Sequence, residues 1–392
     1  MSFTIQPAEG PTFVNRELEL KDILSTLKDP SSTMGFALYG KRRMGKTSLL
    51  KETHRRLLKE TNDIVPVYFS IWNLIEKNVV ELVRELTVAI LDEYRPHLSL
   101  PHKAKDLLVL PINFIKNLFS GLKLNVDLQD SLTLIFSLGK EKMIEPNTLI
   151  EEVFTLPEKL AVETNKKSVL LIDEFPDITD VKINGKTLKE TVIKKIRTIQ
   201  EGYKRTSLNV SGSTRRTMES AILSSSSAFY RQFIVKEIGP FSESAVKELM
   251  DKNLMNGKLS SESLRLLYDF TAGIPFYVQF LGRLLNKYTT TTLKPDIIKK
   301  TIDEFLTQEG DLIFKEELAK LSSKERLIVT TMSTKDPILF SEISQTLSNQ
   351  ITNLGRYLTY LEENDIIQKE ERGQYVFTDP IFKKWLAKKF LV

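Results

Sequence analysis

The sequence contains no cysteine, only three histidines and no long apolar run. The lack of cysteine excludes disulfide bridges, thiolate catalysis and zinc sites built on cysteine. His54, His97 and His102 form no recognisable ligand cluster. No stretch approaches the roughly 20 apolar residues that a membrane span needs, and the polar N-terminus is unlike a secretory signal. We therefore expect a cytoplasmic protein with no membrane partner.

The excess of positive charge is small. The chain of 392 residues carries 56 basic and 51 acidic residues, which gives a formal net charge of +5. Such a balance lies well short of the charge blocks that point directly to nucleic acid. The length suggests two or three domains, and the hydrophobic share of 41% is that of an ordinary globular protein. Composition leaves the partner open.

One glycine-rich stretch, residues 40–47, fits the pattern G-x-x-x-x-G-K-[ST] of a phosphate-binding loop. The two glycines let successive backbone N–H groups turn toward phosphate oxygens. Lys46 supplies a positive charge for the β- and γ-phosphates, and Thr47 supplies a hydroxyl for Mg²⁺. The helix that starts near Lys46 adds its positive end.

The flanks of this loop have the required character, because an apolar run at 35–39 predicts a strand and an amphipathic stretch at 47–59 predicts a helix. The alternative is a glycine-bounded turn that fits the pattern by accident. We expect ATP or ADP to contact the whole loop. Its residues are Gly40, Lys41, Arg42, Arg43, Met44, Gly45, Lys46, Thr47 and Ser48.

A second half of the same site is predicted where the apolar stretch 166–172 ends in Asp173 and Glu174. A carboxylate at the C-terminal end of a strand beside the phosphate loop can hold Mg²⁺, and we assign Asp173 to the metal. An adjacent carboxylate can orient or deprotonate the attacking water, and we assign Glu174 to that catalytic role beside Lys46. The alternative is a strand that ends in a solvated acidic turn.

Strands that alternate with helices predict an α/β fold of the P-loop, AAA+-like kind, with a parallel sheet and helices on both faces. The predicted strand that ends near Ser211 and Ser213 has polar residues at its C-terminal end. There Ser213 either senses the γ-phosphate or merely caps a helix. Arg231, just before the fifth strand, is either an arginine finger or a surface arginine. Asn15 is expected to cap the first helix.

Three domains are predicted from the change in pattern along the chain. Residues 1–240 form the ATPase domain, and alternating stretches at about 117–138 read as an inserted hairpin. Residues 241–315 are all helical and form a lid. There Gly273-Ile274-Pro275 either touches the base or simply separates two helices. Residues 316–392 have the order of a helix-turn-helix with a wing, so we expect a winged-helix domain.

The predicted winged helix is a poor electrostatic match for DNA. Its third helix offers Gln350, Thr352, Asn353 and Arg356, but Arg356 is the only full positive charge on that helix. DNA contact needs several phosphate-facing cations. Both DNA binding and a structural or protein-docking role therefore stay open.

Several short motifs, taken together, resemble those of one known family. They are Asn15-Arg16-Glu17, the phosphate loop, Ile172-Asp173-Glu174, the strand end Gly212-Ser213, Pro240-Phe241, Gly273-Ile274-Pro275 and Thr378-Asp379-Pro380-Ile381-Phe382. In this order, and over nearly the whole chain, the sequence resembles the archaeal AAA+-type ATPases of the STAND class, which carry a winged helix after the ATPase lid.

The resemblance implies that Asn15, Arg16 and Pro275 border the adenine and that Arg231 is the arginine before the fifth strand, whose role varies. Members act as nucleotide-driven switches: the ADP form is closed, and the ATP form assembles or engages partners. One departure is the absence of a clear sensor-2 arginine in the lid, where Arg283 is a weak candidate.

The sequence thus favours a slow, Mg²⁺-dependent ATPase that acts as a molecular switch and engages a protein partner or its own copies. The alternative is an ATP-regulated DNA-binding protein, of the replication initiator or of the transposition or transcription regulator type, that uses its winged helix. A third possibility is an ATP-binding scaffold without turnover.

Overall fold

A parallel sheet lies at the centre of the first part of the chain. In the computed structural model, the described residues are 3–98, 126–136, 146–183, 185–188, 190–213, 218, 222, 229, 231–335, 337–348, 350–370 and 373–390. The strands of this sheet are β1 (Gly35–Tyr39), β2 (Ile64–Ser70), β3 (Lys167–Asp173), β4 (Thr206–Gly212) and β5 (Phe233–Glu237). Their spatial order is β2-β3-β4-β1-β5, and each neighbouring pair is parallel.

Helices flank this sheet, as the α/β prediction requires. They are α1 (Glu17–Lys28), α2 (Lys46–Glu60), α3 (Val79–Leu98), α4 (Val126–Phe136), α5 (Pro146–Glu163) and α6 (Glu190–Glu201). Every residue of β3 and β4 is buried, which explains the continuous apolar run 169–172 in β3. Since parallel strands end at the same edge, the residues after β1, β3 and β4 are brought together there.

The predicted hairpin is wrong where the structure describes it, because α4 is a helix. Leu128, Leu132 and Ile135 are buried, and their spacing of four and then three residues is that of one helix face. A period of two and a period of 3.6 both fit this stretch, and only the helical one buries these three side chains together. Residues 117–125 and 137–138 of the predicted hairpin lie outside the described residues.

The start of α1 also differs from the prediction. The helix begins at Glu17 after Arg16, and both Asn15 and Arg16 have a positive φ, 65° and 70°. The side chain of Asn15 accepts a hydrogen bond from the N–H of Arg16 at 2.5 Å instead of capping α1. Asn15 therefore shapes a left-handed turn, a conformation that asparagine tolerates better than most residues.

The chain divides into two compact units, the first from Pro7 to Ile238, and the second from Gly239 onward together with the described residues 3–6. Phe3 and Thr4 contact the helix Pro275–Leu285 of the second unit. The N–H of Thr4 donates to the Gln279 side chain at 3.1 Å. Phe3 lies so close to Gly282 that a Cβ there would be 2.2 Å from its ring.

The second unit is mainly helical. Its helices are α7 (Glu243–Asn253), α8 (Ser261–Thr271), α9 (Pro275–Leu285), α10 (Pro295–Glu304), α11 (Gly310–Ala319), α12 (Ser323–Met332), α13 (Phe340–Leu347), α14 (Leu354–Glu363) and α15 (Pro380–Phe390). The strands β6 (Ile338–Leu339), β7 (Ile367–Lys369) and β8 (Gln374–Phe377) form an antiparallel sheet in the order β6-β8-β7. The boundary between a lid and a winged-helix domain stays a prediction.

Serine caps explain several helix starts in this unit. Ser242 accepts a hydrogen bond from the N–H of Ala245 at 3.2 Å, and Ser322 forms a reciprocal capping box with Glu325. Among the residues that the structure describes, no helix is both long enough and apolar enough to cross a bilayer.

Candidate functional site

The phosphate loop connects β1 to α2 in a conformation that requires its glycines. Gly40 has a φ of 153°, and a Cβ on it would lie 2.2 Å from the carbonyl oxygen of Ile238. Gly45 has a φ of 89° and immediately precedes α2. The turn that these two residues permit lets the chain enter α2 directly from the loop, so that the positive end of the helix faces the same space.

Lys46 lies inside this loop. Its side chain is buried, and its ammonium group donates to the carbonyl oxygens of Gly40 at 2.8 Å and Lys41 at 3.0 Å. A buried ammonium group that donates to backbone carbonyl oxygens of this loop is well placed to receive an anion. The position of Lys46 therefore fits its predicted role toward a phosphate.

Thr47 and Asp173 meet in space, as the predicted metal site requires. The Thr47 hydroxyl donates to Oδ2 of Asp173 at 2.7 Å. Hydroxyl and carboxylate oxygens are the hard ligands that Mg²⁺ prefers, and Mg²⁺ commonly takes only one or two protein ligands alongside substrate phosphates. These two residues therefore fit a nucleotide-bound Mg²⁺. Within the described part of the chain, no group of three or more His, Asp or Glu residues could hold a metal ion.

Two further hydroxyl groups reach the same carboxylate. The Ser211 hydroxyl donates to Oδ1 of Asp173, and the Tyr68 hydroxyl donates to Oδ2 at 3.1 Å. Burial, followed by the charge of Asp173, raises the pKa of Tyr68, so that the phenol keeps its proton and acts as a donor. Sequence reasoning did not identify Tyr68, because nothing in an apolar strand pattern shows that its hydroxyl reaches Asp173.

Glu174 lies beside the metal site in an environment that favours its neutral form. It has a φ of 53° and only 6% of it is exposed. Burial raises the pKa of Glu174 to about 7; the Lys46 charge opposes that rise, and the charges of Asp173 and Asp177 add to it. A carboxylate with a pKa near neutrality suits a group that accepts a proton in catalysis.

Ser213 approaches Glu174 through its backbone. Its N–H forms a hydrogen bond to the Glu174 carboxylate, which by itself lowers the pKa of that group. The N–H of Glu174 in turn donates to the Ser211 hydroxyl at 3.3 Å. Both serines at the end of β4 therefore support the acidic pair, Ser211 with its side chain and Ser213 with its main chain.

The segment before α1 lies along the phosphate loop and α2. The buried Arg16 guanidinium donates to the carbonyl oxygen of Met44 at 3.2 Å, which ties it to the loop. The Ser48 hydroxyl accepts from the N–H of Ala8 at 2.9 Å, so it faces this segment. The N–H of Gly10 donates to Glu52 at 2.8 Å.

Glu52 is a charged residue of α2 that sequence reasoning missed. Its side chain is fully buried and accepts hydrogen bonds from Arg55 at 2.6 Å and from Arg56 at 2.8 Å. Burial would raise the pKa of Glu52, but the hydrogen bonds from Arg55, Gly10 and Arg56 together lower it to about 2. Spacings of three and four residues on a helix are visible in the sequence, but the burial of Glu52 is not.

For the remaining predicted residues, the structure gives only their local setting. Arg42, in the phosphate loop, lies 6.0 Å from the Trp72 ring. Arg231 occupies an exposed turn before β5 with a φ of 60°. Pro275 is the first residue of α9 in the second unit. The roles predicted for Arg231 and Pro275 stay predictions.

Comparisons with known proteins support an ATPase domain. A family model described as an ATPase domain predominantly from Archaea matches residues 13–281. An uncharacterized ATP-binding protein of Methanocaldococcus jannaschii, MJ1010, is 24% identical over 306 residues, which cover 70% of this chain and 72% of that protein. A second ATP-binding protein of the same organism, MJ0439, is 22% identical over 313 residues, with 76% and 74% covered.

Two solved structures share the fold. The Walker-type ATPase paby2304 of Pyrococcus abyssi has a TM-score of 0.67 at 18% identity, with 99% of this chain and 100% of that chain covered. The ORC2 protein of Aeropyrum pernix, in ADPNP–ADP complexes, has a TM-score of 0.55 at 13% identity, with 99% and 98% covered. At these identities the likeness establishes an AAA+-like α/β fold.

Proposed function

The chain belongs to the family of ATPase domains found predominantly in Archaea and is an ATPase, and from that premise we propose that it is a slowly hydrolysing, nucleotide-driven switch of the STAND type. The observation that carries the proposal is the 2.7 Å hydrogen bond between Thr47 and Asp173, with Glu174 next in the chain. It joins the phosphate loop and the acidic strand end into one site. ATP and ADP are its ligands.

Each residue of the site has one task in this proposal. Lys46 and the backbone N–H groups of the loop hold the phosphates, and Thr47 and Asp173 hold Mg²⁺. When bound, Mg²⁺ neutralises charge that develops on the phosphates. Glu174 orients the attacking water and accepts its proton, for which a buried carboxylate with a raised pKa is suited.

The switch itself rests on the family resemblance and on the division of the chain into two units. We propose that Asn15, Arg16 and Pro275 border the adenine, that Ser213 senses the γ-phosphate and that Arg231 serves as an arginine finger. The partner is a protein or further copies of this chain, and the protein acts in the cytoplasm.

The experiment that tests this proposal combines turnover with size. Purified protein is assayed for steady phosphate release from ATP, and its hydrodynamic size is compared in ADP and in a non-hydrolysable ATP analogue. We expect slow release above background and a larger or more extended species with the analogue. Phosphate release that never exceeds background would support an ATP-binding scaffold without turnover instead. Identical hydrodynamic sizes in both nucleotides would contradict a nucleotide-driven switch.

A second candidate function, ATP-regulated DNA binding of the replication initiator or of the transposition or transcription regulator type, is favoured by one observation. The order α12, β6, α13, α14, β7, β8 is that of a winged helix, and Arg356 on α14 is exposed. Glu362 and Glu363 follow on the same helix and weaken its attraction for phosphates.

Duplex DNA binding over a range of salt concentrations, with and without ATP, decides this second candidate. If α14 reads DNA, Arg356→Ala should weaken binding and make the salt slope shallower by about one unit. A shallow slope that Arg356→Ala does not change would leave a structural or protein-docking role for this part of the chain.

A further inference from the structure

The carboxylate of Asp173 accepts hydrogen bonds from three side chains on three different elements. Thr47 at the start of α2 and Tyr68 on β2 both donate to Oδ2, at 2.7 Å and 3.1 Å, and Ser211 on β4 donates to Oδ1. The hydroxyls of Thr47 and Ser211 belong to segments that the sequence already assigns to the site, namely the phosphate loop and the strand end near Ser213. The Tyr68 hydroxyl does not.

Tyr68 reaches Asp173 from the neighbouring edge strand. In the parallel register, Tyr68 pairs with Leu171, and Ser70 pairs with Asp173. Only a long side chain on the same face can span this offset of two residues, which corresponds to about 6.6 Å along a parallel strand. A phenol has the required length, and its hydroxyl ends at hydrogen-bonding distance.

The ring of Tyr68 is held from a second side. The ammonium group of Lys51, one turn after Thr47 on α2, lies 5.4 Å from the ring centroid, and it also lies 3.6 Å from the Glu9 carboxylate. A cation at that distance from an aromatic ring is attracted to it. Tyr68 is therefore fixed at both ends, by Asp173 at its hydroxyl and by Lys51 at its ring.

From this placement we infer that Tyr68 is a positioning residue for the Mg²⁺ of the proposed nucleotide site. The inference rests on the proposed function. If the Thr47 hydroxyl serves the metal, Tyr68 and Ser211 are the hydroxyl donors that keep the Asp173 carboxylate oriented. Removing a residue that hydrogen-bonds to a metal ligand typically lowers metal affinity by about 10- to 100-fold.

The test uses Tyr68→Phe, which keeps the ring and removes one oxygen atom. A matched control is Tyr39→Phe, because the Tyr39 hydroxyl also donates to a carboxylate, that of Glu237 at 3.0 Å. The affinity for a fluorescent ATP analogue is measured in excess EDTA and over a series of Mg²⁺ concentrations. Thermal unfolding of each variant verifies that it is folded.

Mg²⁺ should increase the affinity for the analogue. We expect Tyr68→Phe to raise the Mg²⁺ concentration that gives half of this increase by about tenfold. The affinity of the variant for the analogue in EDTA should stay within about twofold of that of the original chain. Tyr39→Phe should match the original chain in both conditions. In an Asp173→Asn background, Tyr68→Phe should add no further change, because Tyr68 acts through Asp173.

An unchanged Mg²⁺ dependence in Tyr68→Phe would overturn the inference while the proposed function stands, and so would equal losses of affinity with and without Mg²⁺. An additional loss in the Asp173→Asn background would also overturn it. If the original chain binds no nucleotide at all, the proposed function fails instead, so the two failures are distinguishable.

Discussion

The Thr47 hydroxyl lies 2.7 Å from the Asp173 carboxylate, although the two residues are 126 positions apart in the sequence. Thr47 stands at the start of α2 and Asp173 at the end of β3, and β4 lies between β1 and β3 in the sheet. The parallel order brings both to one edge, where the residues for phosphate, metal and water converge.

Lys46→Ala should remove most of the nucleotide affinity. The ammonium group of Lys46 is buried and donates to two carbonyl oxygens of the loop. Loss of a buried charge-assisted contact to phosphate costs about 2–5 kcal/mol, which corresponds to a fall in affinity of about 30-fold or more. Titration calorimetry with ATP measures it.

The control for that variant is Lys59→Ala, at the exposed end of the same helix. It should bind ATP as the original chain does. Equal affinities for Lys46→Ala and the original chain would show that the nucleotide binds somewhere else.

Glu174→Gln should separate binding from turnover. Glutamine keeps the shape of the side chain but cannot accept the proton of the attacking water. We expect ATP affinity within a few-fold of the original and a fall in kcat of about 10²- to 10⁴-fold, the usual contribution of a positioned general base. Steady-state phosphate release together with analogue binding measures both, and undiminished turnover would mean that another group activates the water.

The two glycines of the loop should respond differently to alanine. A Cβ on Gly40 would clash with a backbone carbonyl at 2.2 Å, whereas a Cβ on Gly45 would have no atom within 4 Å. Gly45→Ala should therefore cost only its backbone strain, about 1–2 kcal/mol. Gly40→Ala should cost about 3 kcal/mol or more, because the loop must also move. Denaturant unfolding measures both, and the opposite ranking would contradict the loop geometry.

Glu52→Gln should destabilise the fold in a pH-dependent manner. The hydrogen bonds to Glu52 outweigh its burial and lower its pKa in the folded state to about 2, below its ordinary value of 4.5. The stabilisation from the charged form is therefore complete above about pH 4.5 and is lost as the pH falls toward about 2. We expect the variant to lose about 1–3 kcal/mol of unfolding free energy at pH 7.

The comparison for Glu52 is Glu60→Gln on the same helix, whose carboxylate pairs with Lys28 near the surface. A surface pair contributes about 0–1 kcal/mol, so this variant should change stability little. Unfolding free energies at pH 7 and near pH 3 compare the two. A Glu52→Gln deficit that stays the same at both pH values would contradict the assigned pKa.

The candidate site could be proposed from the sequence because its chemistry is local in sequence. The motif around Lys46 and the acidic end of β3 each carry their own pattern, and apolar runs indicated the strands β1, β2 and β3. The contact between Tyr68 and Asp173 could not be predicted in this way, because it depends on the register of β2 against β3. No single-sequence pattern encodes that register.

The errors have equally specific causes. In α4, the residues Leu128 and Leu132 fit a strand period and a helical period alike, and only packing decided between them. Asn15 suited a cap by residue type, but the chain turns left-handed there, and its side chain bonds to Arg16 instead. Strand β6, Ile338–Leu339, was not predicted from the sequence, because it is too short to produce a periodic signal.

The most direct test of the central claim is a structure of the chain with a non-hydrolysable ATP analogue and Mn²⁺ in place of Mg²⁺. The anomalous signal of manganese locates the metal independently of the phosphates. We expect the metal next to the Thr47 hydroxyl on the side of Asp173, with the β- and γ-phosphates against Lys46. Manganese elsewhere, or a triphosphate outside the loop between Gly40 and Thr47, would contradict the account.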